Sequence, residues 1–167
     1  PMSGYTSLQA LRVVGDPEGK RVAITGAGGG VGSYAVQLAS SRGASVTAVC
    51  SASKASFVRE LGVDEVIDYT TTNPTEGSQR FDAVFDFAGS LPLAQWKRAI
   101  VKGGTLVLGG GEKGGRILGP LARSIRAPFT LGLRAVTLMA SSSGDDIAEL
   151  AASLTSGKLR STLSHTY

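Results

Sequence analysis

The sequence predicts an α/β fold: a parallel sheet of six strands in the order 3-2-1-4-5-6, doubly wound by helices on both faces. Three observations predict it. Short apolar runs alternate with segments of helical spacing along nearly the whole chain. Short connections join them, which for alternating strands and helices means parallel pairing through crossover helices. The apolar run Val22-Ala23-Ile24 also leads through a glycine-rich turn straight into a helical segment. That strand–turn–helix unit is the seed of a Rossmann-type sheet, with its ligand at the point where the strand order reverses.

The elements follow in order. Residues 3–14 place Leu8, Leu11 and Val14 at helical spacing, with Ser3 as the expected N-cap. Residues 15–19 form a turn. Residues 21–25 are strand one, apolar enough to be buried on both faces. The helix from about Gly30 is expected to stop at Arg42-Gly43, with glycine at the stop position. Strand two covers residues 45–50. A helix over residues 53–61, capped by Ser53, ends at Gly62, and strand three covers residues 65–68. Residues 70–80 are polar and rich in turn formers, a loop with room for one helical turn.

Residues 83–87 read as strand four. Asp86, in an otherwise apolar run, reads as a buried hydrogen-bonding structural residue and not as a catalyst. A helix over residues 91–101 carries Trp96 and Ile100 on its inner face and is expected to stop at Lys102-Gly103-Gly104. Strand five covers residues 105–108. Residues 109–119 hold six glycines and read as a loop, residues 117–126 as helical, and residues 129–139 as strand six. The last helix, residues 145–155, has Asp145 and Asp146 in its first turn and an apolar stripe of Ile147, Leu150, Ala151 and Leu154.

Composition narrows the function. The 167 residues suit one domain, 1–167, with a substantial core. No apolar run approaches the roughly 20 residues of a membrane span, and no charged-then-apolar leader marks export, so the expectation is a cytoplasmic protein without membrane partners. The start, Pro1-Met2-Ser3, does not resemble a natural N-terminus and suggests a piece of a longer chain. The single cysteine, Cys50, forms no disulfide within the chain and reads as a buried small hydrophobe in a reducing compartment. With His165 it supplies too few ligands for a zinc site, so no metal is expected. Net charge is +4 and the pI about 9.5, yet there is no basic run and no aromatic-studded basic face. Nucleic acid is therefore not the expected partner, and the charge reads as solvated surface plus attraction for an anionic cofactor.

The glycine turn carries the chemistry. Ala27-x-Gly29-x-x-Gly32 is a variant of the dinucleotide fingerprint, with Ala27 at the usual first glycine. Gly28, Gly30 and Val31 complete a turn whose small residues let a pyrophosphate approach the backbone, while the helix dipole favours its charge. A plain structural turn is the alternative, but the strand before and the helix after favour nucleotide binding. An NAD site would show an acid at the end of strand two, about 20 residues beyond the glycines. Here stand Ser51, Ser53 and Lys54, and the first acid is Glu60, well into the next helix. Two hydroxyls and a lysine at a helix start suit the 2′-phosphate of NADP(H). Ser53 suits the helix cap, so Ser51 is the better hydroxyl contact. The loops at Ala88-Gly89, after strand four, and at Gly109-Gly110, after strand five, leave room for ribose and nicotinamide; they read equally well as plain turns.

Taken together, Gly26-Ala-Gly-Gly-Gly-Val-Gly-Ser33, Ala35-Val-Gln-Leu-Ala39, Gly43-Ala-Ser-Val-Thr-Ala-Val49 and Leu61-Gly-Val-Asp-Glu-Val-Ile-Asp-Tyr69 resemble one family. So do Phe81-Asp-Ala-Val-Phe-Asp86, Gly104-Thr-Leu-Val-Leu108 and Ser156-Gly-Lys-Leu-Arg160. The resemblance, which covers nearly the whole chain, is to the cofactor-binding domain of the zinc-independent, quinone-oxidoreductase-like branch of the medium-chain dehydrogenase/reductase superfamily. It implies a reductase moving hydride from NADPH to a small-molecule quinone, enone or related carbonyl compound. It implies that Lys54 and Tyr69 hold the 2′-phosphate end of NADPH; Tyr69 by itself reads only as an exposed loop tyrosine. It also implies a separate, mostly β catalytic domain, GroES-like, with residues 159–167 starting the return to it, and hence an incomplete substrate pocket and no catalytic residue in this chain. Homodimers through strand six are a family habit, and residues 131–139 are apolar enough for one, although a core strand would be equally apolar.

A short-chain dehydrogenase needs Tyr-x-x-x-Lys, and the residues four places after Tyr5, Tyr34 and Tyr69 are Gln9, Leu38 and Asn73. A methyltransferase would show an acid at the end of strand two. A non-catalytic nucleotide-sensing or interaction module, and an enoyl-reductase-like part of a larger multidomain synthase, stay open as alternatives.

Overall fold

The structure, a computed structural model, describes residues 2–89, 91–109, 133–138 and 143–161. The elements are α1 (Met2–Val14), β1 (Arg21–Thr25), α2 (Gly30–Ser40), β2 (Ser45–Cys50), α3 (Ala52–Arg59), β3 (Glu65–Asp68), β4 (Phe81–Asp86), α4 (Leu93–Ala99), β5 (Ile100–Leu108), β6 (Arg134–Thr137) and α5 (Gly144–Thr155). The strands form one parallel sheet in the order β3-β2-β1-β4-β5-β6, the arrangement expected from the sequence.

Strand periodicity sorts the core into two layers. Successive side chains of a strand face opposite sides. Val22 and Ile24 therefore join Leu8 and Leu11 of α1, Val36 of α2 and Val46 of β2 on one face. Ala23 joins Phe81, Val84, Leu106 and the fully buried Trp96 of α4 on the other. Burying each large apolar side chain contributes roughly 1.5–3 kcal/mol, so both layers are needed and neither sheet face can stay wet. Glycine ends two helical segments where expected, Gly43 at φ +79° and Gly62 at φ +91°.

Several expected boundaries move, each for a local reason. Helix α1 begins at Met2, so Ser3 lies inside its first turn and is not a cap; the helix packs on α2 from that turn onward, with Gly4 and Ser7 buried. Helix α3 is capped by Ser51, without a side-chain hydrogen bond, and not by Ser53, whose hydroxyl lies 3.0 Å from that of Ser51. Strand β4 starts at Phe81, which pairs with Ile100, and Phe87 has left the sheet. Helix α4 ends at Ala99, because Ile100 is already extended (φ −102°, ψ 137°) and packs into the core layer of Trp96. Lys102-Gly103-Gly104 is therefore not a helix stop. It is an irregularity inside β5, where the register shifts between Phe81 and Ala83 and Gly103 takes φ +80°. Residues 70–80 contain turns and no helix. The expected loop beyond Gly109, the helix over residues 117–126, residues 129–132 and 139 of strand six, and His165 lie outside the described residues.

Helix α5 starts at Gly144 with Ser143 as its cap, which accepts from the Asp146 N–H at 3.1 Å. Its docking is ionic as much as apolar. Buried Asp146 accepts from Gln9 Nε2 at 2.7 Å and pairs with Arg12, which also reaches Glu149 at 2.7 Å; Arg42, in the turn after α2, holds the other Glu149 oxygen. Most of the expected apolar stripe stays exposed, Ala151 included. Leu150 is buried against Gly4, whereas Ile147 and Leu154 are 51% and 43% exposed. After the helix, Leu159 is buried, and Gln37 of α2 clasps the chain at Arg160 by accepting from its N–H (2.8 Å) and donating to its carbonyl (3.2 Å).

Candidate functional site

The site is built where β1 gives way to α2. Gly26 follows the strand at φ +66°, a left-handed conformation that glycine adopts without strain. Its carbonyl accepts from the Gly29 N–H at 2.9 Å, closing the turn. Gly29 is the N-cap of α2 and has no side chain to satisfy the first-turn N–H groups of Gly30, Val31 and Gly32. Those groups have no acceptor within the helix, and together with the dipole they make an anion-binding end. Ala27 and Gly32 are buried, while Gly29 and Gly30 are exposed. A Cβ on Gly32 would overlap the Gly26 carbonyl, so that glycine serves the close helix–strand packing. On the far side, Ser7 Oγ of α1 reaches the Val31 carbonyl at 2.7 Å.

Lys54 lies against this turn. A Cβ on Gly28 would stand 2.8 Å from Lys54 Cβ and 2.9 Å from Cγ, so the lysine stem runs across the glycine. The lysine belongs to the first turn of α3, where its N–H donates to the Ser51 carbonyl at 2.9 Å. One cation and two helix starts therefore converge, all favouring negative charge. Beside them is the end of β3. Asp68 pairs in register with Cys50, and the next N–H, of Tyr69, donates to the Cys50 carbonyl at 3.2 Å. Tyr69 is 57% exposed. Beyond the C-terminal ends of β1, β2 and β3 opens a cavity of about 420 Å³, lined by Thr25, Val49, Tyr69, Thr70, Thr71, Thr72, Asn73, Pro74 and Leu91.

The third side is the crossing of the loops after β4 and β5. Buried Thr25 donates to Asp86 Oδ1 at 2.8 Å and accepts from the Ala88 N–H at 3.0 Å. The same Asp86 oxygen accepts from the Gly89 N–H at 3.0 Å. Asp86 is 1% exposed, the buried hydrogen-bonding residue expected from the sequence. These bonds turn the N–H groups of Ala88 and Gly89 inward. Gly109 donates to the Asp86 carbonyl at 3.1 Å and lies so close to Phe87 that a Cβ would enter its ring.

The geometry thus gathers Ala27, Gly28, Gly29, Gly30, Val31, Gly32, Ser51, Lys54, Tyr69, Ala88, Gly89 and Gly109 along one edge of the sheet, at the C-terminal ends of its strands; Gly110 lies outside the described residues. Thr25, Asp68 and the run Thr70-Thr71-Thr72-Asn73 also belong to this edge and were not singled out from the sequence. A polar, hydroxyl-rich run straight after a strand end was the available signal, since ligands of this fold lie there. Cys50 is buried, and burial pushes its thiol pKa up, which makes it an inert packing residue at this edge.

A family model described as zinc-binding dehydrogenase matches residues 30–156. The chain belongs to that zinc-binding dehydrogenase family. Within it the chain is a quinone-oxidoreductase-like, nucleotide-binding domain of medium-chain dehydrogenase/reductase type. The chloroplastic quinone-oxidoreductase QR1 of Triphysaria versicolor is 33% identical over 173 residues, covering 98% of this chain and 51% of that protein. The chloroplast envelope quinone oxidoreductase homolog of Arabidopsis thaliana is 36% identical over 117 residues, covering 64% of this chain and 36% of that protein. The solved quinone oxidoreductase from Coxiella burnetii superimposes with a TM-score of 0.82 at 28% identity, over 98% of this chain and 50% of that one. The chain thus spans about half the length, or less, of these relatives.

The family description names zinc, and the donor set of this chain does not fit it. The sequence has one cysteine and one histidine. Cys50 is buried within β2, and among the described residues no three His, Cys, Asp or Glu side chains cluster as metal ligands.

Proposed function

We propose that this dehydrogenase domain binds NADPH and serves a zinc-independent oxidoreductase that transfers hydride to a quinone, an enone or a related carbonyl compound. The observation that carries the reading is the Lys54 stem lying across Gly28, which sets a cation beside the bare N-terminus of α2. In this reading the N–H groups of Gly30, Val31 and Gly32 take the pyrophosphate. Ser51, Lys54 and Tyr69 take the 2′-phosphate, and the 420 Å³ cavity takes the adenosine. The loops at Ala88, Gly89 and Gly109 border the nicotinamide ribose. Because the Ala88 and Gly89 N–H groups turn inward, that loop offers the ribose and carboxamide its carbonyls and Cα surface. Bound NADPH supplies the hydride; this chain's residues bind it, orient it and take up its charge.

The reading includes a second, mostly β domain that completes the substrate pocket, as hydride transfer needs the substrate held beside the nicotinamide. Relatives about twice as long support that part. A homodimer through strand six belongs to it too, since β6 is the outermost strand of the described sheet.

The test is amide mapping by NMR with NADP+. The expected result is perturbation concentrated at Gly28 to Gly32, Ser51 to Lys54 and Tyr69 to Asn73. Perturbation elsewhere, with this edge silent, would overturn the reading.

A further inference from the structure

We propose that Asp68 is a positioning residue for nucleotide specificity: its carboxylate fixes the turn that presents Tyr69 beside Ser51 and Lys54. The inference rests on the NADPH reading above and assigns the part that no contact with the phosphate would reveal.

Asp68 organises the turn with both its side chain and its backbone. Its Oδ1 accepts from the Thr70 N–H at 2.9 Å and from the Thr70 hydroxyl at 2.8 Å. Its carbonyl accepts from the N–H groups of Thr71 (3.2 Å) and Thr72 (2.9 Å). Tyr69 sits between Asp68 and Thr70, and its own N–H is fixed to Cys50. Its ring, largely exposed, is placed by this backbone and little by packing. The Thr70 N–H, the Thr70 hydroxyl and the backbone N–H of Ala52 hold the Asp68 carboxyl below the usual carboxylate range, so it is charged at neutral pH. Ala52 opens α3, which carries Lys54, so the Asp68 carboxylate also feels the start of the helix that bears the cation.

A competing role has the opposite sign. An acid at a strand end beside the ribose site is what an NAD-specific fold uses to accept the 2′-hydroxyl, and it repels a 2′-phosphate. The geometry favours positioning, because the Asp68 carboxylate already accepts from Thr70 twice and its carbonyl accepts from Thr71 and Thr72.

The experiment is calorimetric titration of the full chain with 2′,5′-ADP and 5′-AMP, which read the adenosine end alone. Wild type is compared with Asp68→Ala, Asp68→Asn and Thr70→Val. The expected result is a preference of wild type for 2′,5′-ADP that falls about tenfold in Asp68→Ala, with 5′-AMP affinity within about twofold. Asp68→Asn, whose amide oxygen still accepts from Thr70, should retain the preference, and Thr70→Val should fall between. A wild-type preference that Asp68→Ala leaves unchanged or strengthens would overturn this inference alone, as would equal weakening of both ligands. A wild type with no preference would overturn the NADPH reading and this inference with it.

Discussion

At the scale of the residue, Gly32 has no room for a methyl group. A Cβ there would sit inside the Gly26 carbonyl, and that contact is backbone, which cannot swing away. Gly32→Ala should lower stability by about 1–3 kcal/mol and abolish cofactor binding together with it, measured by denaturant unfolding and titration. Gly30→Ala is the control: its new Cβ would meet only Ser3 Oγ, at 3.1 Å, and the fold should tolerate it. Thr25 is the second residue whose role is local. Its hydroxyl both donates to Asp86 and accepts from the Ala88 N–H, so Thr25→Val removes two hydrogen bonds and leaves Asp86 Oδ1 with the Gly89 N–H. The expected loss is about 1–3 kcal/mol, with the nicotinamide end of the site loosened more than the adenosine end. NADPH affinity should therefore fall further than 2′,5′-ADP affinity, and equal losses would contradict this. The glycines and Lys54 were legible in the sequence because each is the chemically required residue type at a required spacing. Thr25 and Asp68 were not, because their roles depend on which strand ends lie side by side. That adjacency is a property of the sheet, and strands β1 and β4 are far apart in sequence.

At the scale of the element, α5 is held to α1 and to the turn after α2 by one buried acid and its neighbours. The Asp146 carboxyl lies below its ordinary range, chiefly through the Gln9 hydrogen bond and then through Arg12, against the opposing effect of burial. A carboxylate whose pKa is lower folded than unfolded stabilises the fold fully above the ordinary value of about 4. That contribution is lost as pH falls through the lowered folded value. Wild type should therefore exceed Asp146→Asn in thermal stability at neutral pH, and the gap should close in acid below about pH 4. A gap that persists unchanged at low pH would contradict the ionic account of this helix. Element existence was legible throughout the described residues, because each apolar period is clear. The ends of α1, α3 and α4 were not. Ser3 and Ser53 have the right chemistry for caps, yet tertiary packing extended α1 past Ser3, and Ser51 took the cap position of α3. Ile100 has helical spacing with Trp96, but it pairs with Phe81 as a strand residue.

At the scale of the whole molecule, the strand order brings three loops to one edge, and this is why the site exists. The order reverses at β1 and β4, so the glycine turn after β1 faces both the β4 loop and the start of α3. The order was legible because parallel strands with short crossovers leave few topologies, and a glycine-rich first turn selects among them. Ligand binding to the folded chain alone should raise its melting temperature by mass action, and NADPH should do so more than NADH. The measurement that bears most directly on the central claim is a side-by-side calorimetric titration with NADPH and NADH, on wild type and on Lys54→Ala. The account predicts tighter NADPH binding in wild type and a loss of about tenfold in Lys54→Ala, confined to NADPH, as expected for a lost charge-assisted phosphate contact. Equal affinities for the two cofactors in wild type, or a Lys54→Ala variant that still prefers NADPH, would contradict it.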